Sequence, residues 1–206
     1  MKRTNIVEWF LIALFLALFG KACFGWLQAN AQSIHHQTFD IEYSSMLGIP
    51  TQVRWSVKRT DLGHTKREPT FRFKADRETP RPRITSALYT RSGYQRGHMC
   101  PAADRSASKA SMRATFVMSN VCPQVPELNT GKWKRTEIFE RRIATTYGRC
   151  SVWAAPIFYP EDTTTIGRGR VAVPHAFMKV VFDSNPSRLY GIFVCENKRS
   201  ELSIYR

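Results

Sequence analysis

The chain of 206 residues is 43% hydrophobic and 12% aromatic, a composition that indicates a folded globular protein and excludes an intrinsically disordered chain. Its 31 basic and 16 acidic residues give a formal charge of +15 at pH 7, and its pI is near 10.1. Because phosphate neutralisation by Lys and Arg releases counterions, this charge predicts a phosphate-rich partner, although many exported proteins are basic without one.

The N-terminus has the features of an export signal. Lys2 and Arg3 precede an apolar run over residues 9–20, and Ala29-Asn30-Ala31 fits the small-x-small pattern that precedes a cleavage site. We therefore expect residues 1–31 to be a signal peptide and the protein to be periplasmic or secreted.

After cleavage, residues 32–206 would form a single catalytic domain without stable membrane association. The alternative is an uncleaved anchor over residues 9–27, which Lys21 disfavours because a charge inside a span costs about 2.5 to 3.5 kcal/mol. Removing residues 1–31 takes away three basic residues and one acidic residue, so the remainder keeps a formal charge of +13. The positive charge therefore belongs to the domain.

The first elements after the signal are a polar lead-in over residues 32–49 and a strand over residues 51–58. The strand prediction rests on apolar side chains that recur at every second position, namely Val53, Trp55 and Val57. Residues 61–83 are polar and punctuated by prolines, so we expect a surface excursion, with a short strand near Phe71 and Phe73.

The middle of the chain is predicted to contain a short strand and a helix. Residues 115–118 are predicted to form a short strand, and apolar residues at helical spacing predict a helix over residues 127–145 that Gly148 ends. Further β-rich runs cover residues 152–159, 171–174, 178–182 and 189–195. The fold class is therefore α+β: a central mixed or antiparallel sheet flanked by helices, with a module of about residues 88–145 inserted in its middle.

Signal cleavage would remove Cys23 and leave an even number of cysteines in an oxidising compartment. Disulfide bonds are therefore expected. We favour Cys100 with Cys122, because both flank the candidate site, and Cys150 with Cys195, because both lie in apolar, strand-like runs. The alternative is four buried thiols, because free cysteine is among the most buried residue types.

Phosphodiester hydrolysis needs a base for water, positive charge for the phosphate oxygens and help for the leaving oxygen. His98 can be the base, since a neutral imidazole accepts a proton near neutral pH. Arg96 supplies a forked, permanent cation suited to phosphate. Each also has a structural explanation, because a lone histidine is commonly structural and Arg96 is one of 31 basic residues.

A hard metal ion has its own candidate ligands. Asn129 offers a neutral amide oxygen to Mg²⁺, an ion that keeps several waters and takes few protein ligands. Glu137 lies eight residues on, a rise of about 12 Å along a helix, and could accept hydrogen bonds from the ion's waters. Asn129 could instead cap the helix, and Glu137 could be a solvated charge.

Three ordered blocks of sequence resemble one family. Gly93-Tyr94-Gln95-Arg96-Gly97-His98-Met99-Cys100-Pro101-Ala102-Ala103-Asp104 is similar to the D-R-G-H signature of the DNA/RNA non-specific endonucleases, which are ββα-metal or His-Me finger nucleases. The stretches Thr115–Gln124 and Leu128–Trp133 look like that family's second and third blocks. The resemblance covers most of the chain after about residue 50.

The resemblance implies a role for each matching position. It makes His98 the general base, Asn129 the direct Mg²⁺ ligand, Arg96 and Glu137 supporting site residues, and Asn120 an active-site amide. The family also uses an upstream arginine near the phosphate, for which Arg67 is the candidate and Arg72 the competitor. Mn²⁺ is the alternative ion.

The chain departs from the family at Gln95, where the usual residue is aspartate. Without this negative charge, we expect weaker binding of the metal ion, or a pKa of His98 that is raised less than an aspartate would raise it. The amide oxygen of Gln95 can still accept a hydrogen bond.

We therefore expect an exported, Mg²⁺-dependent, sugar-nonspecific endonuclease that acts on the phosphate backbone of DNA and RNA and leaves a 5′-phosphate. One alternative is an exported nucleic-acid-binding protein that lost turnover through Gln95. Another is a phosphoesterase for small substrates, which a charge of +13 disfavours. Whether an inhibitor protein accompanies the enzyme is left open by the sequence.

Overall fold

The computed structural model describes residues 31–159, 164–183 and 188–199. The predicted signal and the alternative anchor both fall on residues before this range, apart from Ala31, and so lie outside the described residues. Within the described ranges, no helix is long and apolar enough to cross a membrane.

The described residues form ten strands and two α-helices. The strands are β1 (Ala31–His36), β2 (Phe39–Ser44), β3 (Ile49–Lys58), β4 (Gln95–His98), β5 (Val121–Gln124), β6 (Arg149–Ile157), β7 (Thr165–Ile166), β8 (Val171–Ala172), β9 (Ala176–Phe182) and β10 (Leu189–Glu196). The helices are α1 (Lys109–Ala114) and α2 (Trp133–Tyr147). The α+β class predicted from the sequence is confirmed.

Six of these strands form one antiparallel sheet in the order β1-β2-β3-β6-β9-β10. Strands β3 and β6 are neighbours, with Val53 opposite Ala154 and Val57 opposite Cys150, although about ninety residues separate the two strands along the chain. Those intervening residues contain β4, β5, α1 and α2. The prediction of a module inserted in the middle of the sheet is therefore also confirmed.

The inserted module is a β-hairpin followed by a helix. Strand β4 pairs antiparallel with β5, and Gly97 lies opposite Cys122. A Cβ atom at Gly97 would stand 2.2 Å from the side chain of Gln124, so glycine is required here by close packing within the hairpin. Helix α2 then buries Trp133, Glu140 and Ala144 against the sheet and ends at Gly148, whose φ is +89°.

Three local predictions from the sequence are corrected. Residues 32–49 contain the strands β1 and β2, because Ile34, Phe39 and Ile41 supply the alternating buried positions that a polar lead-in lacks. Phe71 and Phe73 lie in a loop. The stretch 115–118 makes only an isolated bridge between Val117 and Lys74 before the chain turns into β5.

The expected disulfides are also corrected, because all four cysteines in the described residues are buried, free thiols. Cys150 lies on β6 and Cys195 on β10, and β9 runs between those strands. Two strand spacings are about 10 Å, whereas a disulfide needs Cα atoms within about 7 Å. Cys122 pairs with Gly97 inside the β4–β5 hairpin. The backbone of Cys100 lies just beyond the end of β4, where it is hydrogen-bonded to the side chain of Asn120.

Candidate active site

One face of the inserted module lines an open cavity of about 1040 Å³. Its walls come from the loop after β3, the strand β4, the turn that follows β4, and helix α2. The cavity brings together five of the six site residues predicted from the sequence, as well as the neighbouring Gln95; the five are Arg67, Arg96, His98, Asn129 and Glu137.

His98 is the last residue of β4 and is held from two directions. Its carbonyl oxygen accepts a hydrogen bond of 3.0 Å from Nε1 of Trp133, the buried first residue of α2. Its ring packs against Phe73 and Phe116, with both centroid distances 4.8 Å. The hairpin, the helix and the two aromatic rings therefore fix both the backbone and the imidazole at the cavity wall.

Burial and the positive charge of Arg67 lower the pKa of His98 to about 3. The imidazole is therefore neutral at pH 7, which is the protonation state that a general base needs. Its Nε2 atom is buried and has no hydrogen-bond partner among the described residues. A phosphate bound beside Arg67 would offset that positive charge and raise the pKa of His98, making the ring a stronger base.

Asn129 lies in the wide turn of Leu128–Lys132 that leads into α2. Its Nδ2 donates a hydrogen bond of 2.6 Å to Oε1 of Gln95 on β4. This bond fixes the amide plane, and it leaves Oδ1 as the acceptor atom of Asn129 at the cavity wall. Gln95 thus accepts the same hydrogen bond that an aspartate at this position could accept, but it carries no negative charge.

A divalent ion fits this donor set only with water as its main ligand. No group of three or more His, Cys, Asp or Glu side chains that could hold a metal occurs among the described residues. The amide oxygen of Asn129 and the nearby carboxylate of Glu137 are hard oxygen donors, which suit Mg²⁺ or Mn²⁺ rather than a soft, thiolate-bound metal.

Helix α2 presents a polar face to the cavity. Lys134, Glu137 and Arg141 all line it, at the spacing of three or four residues that places side chains on one side of a helix, and Thr130 of the preceding turn also lines the cavity. Burial raises the pKa of Glu137 to about 7, against the opposing effect of Lys179, Arg141 and Lys134. Arg141 was not among the predicted residues, although its position one turn after Glu137 could have indicated it.

The charge of the cavity wall is strongly positive. Glu137 is the only acidic residue among the residues described as lining it, whereas six lining residues are basic: Lys66, Arg67, Arg72, Arg96, Lys134 and Arg141. Such an excess of cations attracts an anion with more than one charge.

The two upstream arginines differ in their contacts. The guanidinium of Arg72 donates to the backbone oxygens of Pro69 and Phe71, so it ties its own loop together. The guanidinium of Arg67 lies 5.0 Å from the ring centre of Phe116, beside His98. This difference favours Arg67 over Arg72 as the arginine beside the reacting phosphate.

Arg96 lines the cavity and also holds the turn of Ser86–Tyr89. Its Nη2 donates to the backbone oxygen of Ser86 at 2.6 Å and to Oγ1 of Thr90 at 3.3 Å. Part of its hydrogen-bonding capacity is therefore used inside the protein. Arg96 adds positive charge to the wall, but fewer of its donors can face a ligand.

Asn120 is fully buried and does not line the cavity. Its Oδ1 accepts from the backbone nitrogen of Cys100 at 2.9 Å, and its Nδ2 donates to the backbone oxygens of Cys100 and Thr115 at 3.0 and 3.1 Å. Every polar atom of the amide is thus used to clamp the turn after His98. Asn120 therefore holds the turn that follows His98 and does not line the cavity.

A buried ionic cluster lies beneath α2. Asp104 is fully buried and accepts hydrogen bonds of 2.9 Å from Nη1 of Arg141 and from Nε1 of Trp55. Nζ of Lys179 lies 2.9 Å from Oε2 of Glu140 in an ion pair whose side chains are both fully buried. Asp104 therefore fixes the direction of Arg141 toward the cavity, a relation that the sequence did not indicate.

Comparison with known proteins gives this geometry a family. A family model described as DNA/RNA non-specific endonuclease matches residues 24–204. A nuclease of Nostoc sp. is 32% identical over 161 residues, which are 75% of this chain and 56% of that protein. Mitochondrial endonuclease G of Homo sapiens is 32% identical over 166 residues, 76% of this chain and 55% of that protein. The chain thus spans a little over half the length of these relatives.

A solved structure of EndoG in complex with EndoGI has the same fold. Its TM-score is 0.72, with 24% identity over 86% of this chain and 81% of that chain. The fold, the three blocks of sequence and the family match all agree. This chain belongs to the DNA/RNA non-specific endonuclease family.

Proposed function

We propose that this protein is a metal-dependent endonuclease that hydrolyses the phosphodiester bonds of DNA and RNA with little sequence preference. The observation that supports this most directly is the cavity itself, where a neutral histidine, an oriented amide oxygen and six basic residues meet. The basic residues contact phosphates and not base edges in this proposal, so they would accept any sequence.

The side chains at the cavity wall account for the requirements of hydrolysis. His98 accepts the proton of the attacking water, and Arg67 beside it neutralises the phosphate oxygens. Glu137 accepts hydrogen bonds from water in the cavity once it is ionised, and Arg141 adds positive charge near the departing oxygen. Gln95 keeps the Asn129 amide in one orientation throughout.

Asn129 would hold the metal ion, with water completing its coordination and Glu137 accepting from that water. When bound, Mg²⁺ supplies charge stabilisation for the phosphate and for the leaving oxygen. Mn²⁺ prefers the same oxygen ligands and is proposed as a substitute.

A second candidate function is nucleic-acid binding without turnover. Gln95 favours it, because a neutral amide stands beside Asn129 where the family usually has a carboxylate. The hydrogen bond from Asn129 to Gln95 argues for activity, since the amide orientation survives the loss of charge.

We also propose that the protein is exported and acts in the periplasm or outside the cell, on the basis of residues 1–31. An unselective nuclease would damage the nucleic acids of its own cell, and the EndoG structure was solved as a complex concerned with EndoG inhibition. An inhibitor protein is therefore a reasonable class of partner to seek. N-terminal sequencing of the exported protein would show whether Gln32 is the first residue.

The experiment that separates the two functions uses the purified protein with supercoiled plasmid and with structured RNA. We expect both substrates to be cut in Mg²⁺ and in Mn²⁺, and neither to be cut in EDTA. A His98→Ala variant, with unchanged binding in EDTA, serves as the control and should not cut. Tight, salt-sensitive binding without cutting in either metal would instead establish the binding protein.

A further inference from the structure

A second, smaller pocket lies on the other side of the turn that Arg96 holds. It has a volume of about 470 Å³, and none of its described lining residues is acidic. Its walls come from residues 87–92 and from residues 165–168 of the hairpin formed by β7 and β8. Two arginines, Arg91 and Arg168, supply its charge.

The backbone of these two arginines is unusual. Among the described residues they are the only non-glycine residues with positive φ, at 58° for Arg91 and 62° for Arg168. A long side chain in this conformation costs on the order of 1 kcal/mol or more, and such costs cluster at functional sites. Both costly positions occupy one pocket, and both are arginine rather than the glycine or asparagine that this conformation favours.

Neither arginine is used to hold the protein together. Both side chains are exposed, and neither guanidinium makes a hydrogen bond, an ion pair or a ring contact with a described residue. By contrast, Arg170 at the end of the same turn donates to the backbone oxygens of Pro82 and Arg83, at 2.6 and 3.3 Å, and so fixes the hairpin. No described residue therefore occupies the donors of Arg91 and Arg168.

The two walls of the pocket are in direct contact, which fixes the arginines relative to each other. A Cβ atom at Gly167 would stand 2.7 Å from Cβ of Leu88, so only glycine allows the hairpin to approach the turn this closely. Ile166 is buried beside it and anchors the hairpin in the core. The pocket is thus a built feature of two packed segments.

The pocket is separated from the active-site cavity by one turn of chain. Ser86 lines the main cavity, whereas Ala87, Leu88 and Thr90 line the second pocket. Arg96 spans the boundary, because it lines the main cavity and donates to both Ser86 and Thr90. Arg96 therefore contacts residues of both linings, Ser86 of the main cavity and Thr90 of the second pocket.

We propose that this pocket is a remote subsite for the phosphate backbone of the substrate, which Arg91 and Arg168 bind outside the catalytic cavity. The inference rests on the proposed function, since it assigns a second contact to the same nucleic-acid strand. Its ligand is a phosphodiester, read through charge and not through sequence. Only a substrate long enough to cross the Ser86–Tyr89 turn can reach it.

The test compares nucleic-acid length in the presence of EDTA, where binding is measured without cleavage. The probes are fluorescent duplexes of about 8 and about 32 base pairs, which span about 27 and about 110 Å. The variant is Arg91→Asn with Arg168→Asn, because asparagine tolerates positive φ better than alanine does. A matched control, Lys58→Asn with Arg149→Asn, removes two exposed charges that line neither cavity.

We expect the arginine variant to bind the long duplex roughly 10- to 50-fold more weakly at 0.1 M salt, with a salt slope smaller by roughly 1.8. The ratio of affinities for long and short duplexes should fall in this variant and stay unchanged in the control. Arg91→Lys with Arg168→Lys should restore most of the ratio, because it restores the charge.

An unchanged ratio in the asparagine variant would overturn the subsite, as would an equal loss for both lengths. Cleavage by the unaltered protein, measured in parallel with Mg²⁺, keeps the two proposals apart. If the unaltered protein cuts and binds, and the asparagine variant has the same ratio of affinities for long and short duplexes, only the subsite proposal fails. If the unaltered protein neither cuts nor binds either probe, the proposed function fails and the subsite fails with it.

Discussion

The two sides of helix α2 carry charge in opposite ways. Toward the cavity, six basic residues face one acidic residue, Glu137, and among the described residues only Arg141 of the six has an acidic partner. Toward the sheet, the fully buried Glu140 and Lys179 form an ion pair, and the buried Asp104 accepts from the guanidinium of Arg141. The same helix therefore separates charges that await a ligand from charges that already have partners.

This difference shows how one helix serves both stability and chemistry. Unbalanced charge in the cavity is tolerated because the cavity is open to water and to a polyanion. Charge beneath the helix is tolerated only because each group is paired, since an unpaired buried charge is strongly destabilising. Arg141 joins the two sides, because it lines the cavity while Asp104 holds it from below.

Removing Lys179 is the most severe way to break the comparison. We expect Lys179→Met to destabilise the protein by about 3–5 kcal/mol, because Glu140 would remain buried without its partner. The double variant with Glu140→Gln should recover most of that loss. Urea unfolding measures the stability of the single and the double variant. The control is Arg142→Met, which removes an exposed cation on the same helix as Glu140 and should change stability by less than about 0.5 kcal/mol.

A loss in Lys179→Met no larger than in the Arg142 control would contradict the account of the buried side. So would a double variant as unstable as the single one, because that would mean the packing of Lys179 on Trp133, 4.4 Å from its ring centre, matters more than its charge.

Glu137 is expected to show the reverse behaviour. Because it supports the proposed chemistry from the cavity wall, Glu137→Gln should lower kcat by about 10- to 100-fold. In the unaltered protein, the activity should fall as the pH drops through about 7, where Glu137 becomes protonated. Initial rates from pH 5 to pH 9 at fixed metal would show the position of this acid limb.

The same substitution should raise stability at high pH. Burial raises the pKa of Glu137 above its ordinary value of 4.5, so the fold favours the neutral form. That contribution is fully present below pH 4.5 and is lost as the pH rises through about 7. Glu137→Gln should therefore match the unaltered protein at pH 4 and exceed it at pH 8; equal stability at both pH values would contradict the assignment.

Gln95→Asp is expected to have the smallest effect. The carboxylate can still accept the hydrogen bond from Asn129, and it adds one negative charge beside the proposed metal ligand. We expect the Mg²⁺ concentration for half-maximal cleavage to fall by about 3- to 10-fold, with kcat nearly unchanged. Gln95→Leu, which lacks the acceptor, should raise it, and a similar value for all three proteins would show that Gln95 does not orient Asn129.

Much of the fold could be predicted from local pattern. Alternation in Val53, Trp55 and Val57 gave the strand β3, and helical spacing with Gly148 gave α2. The early strands β1 and β2 could not be recognised, because His35, His36, Asp40 and Glu42 mask their buried positions. Strand pairing was likewise hidden from the sequence, which is why the disulfide pairing failed: β9 separates Cys150 from Cys195.

The site was predictable where chemistry and position coincide in one motif. Residue type makes His98, Asn129 and Glu137 candidates, the family resemblance implies their roles, and the structure brings them to one cavity. Asn120 shows the limit, because a family motif marks it without revealing that its amide clamps backbone. The role of Asp104 depends on long-range contacts with Trp55 and Arg141, which no local pattern encodes.

The most direct test of the central claim is chemical rescue of His98→Gly. The ring of His98 packs against Phe73 and Phe116, whose own ring centroids lie 5.1 Å apart, so removal of the side chain leaves a space beside two aromatic rings for a small aromatic base. We predict that the variant loses about 10²- to 10⁴-fold in cleavage rate and regains a substantial part of it with added imidazole, in proportion to the neutral imidazole present. Full activity in the variant, or a loss that imidazole does not relieve at any pH while DNA binding is intact, would contradict the assignment of His98 as the base.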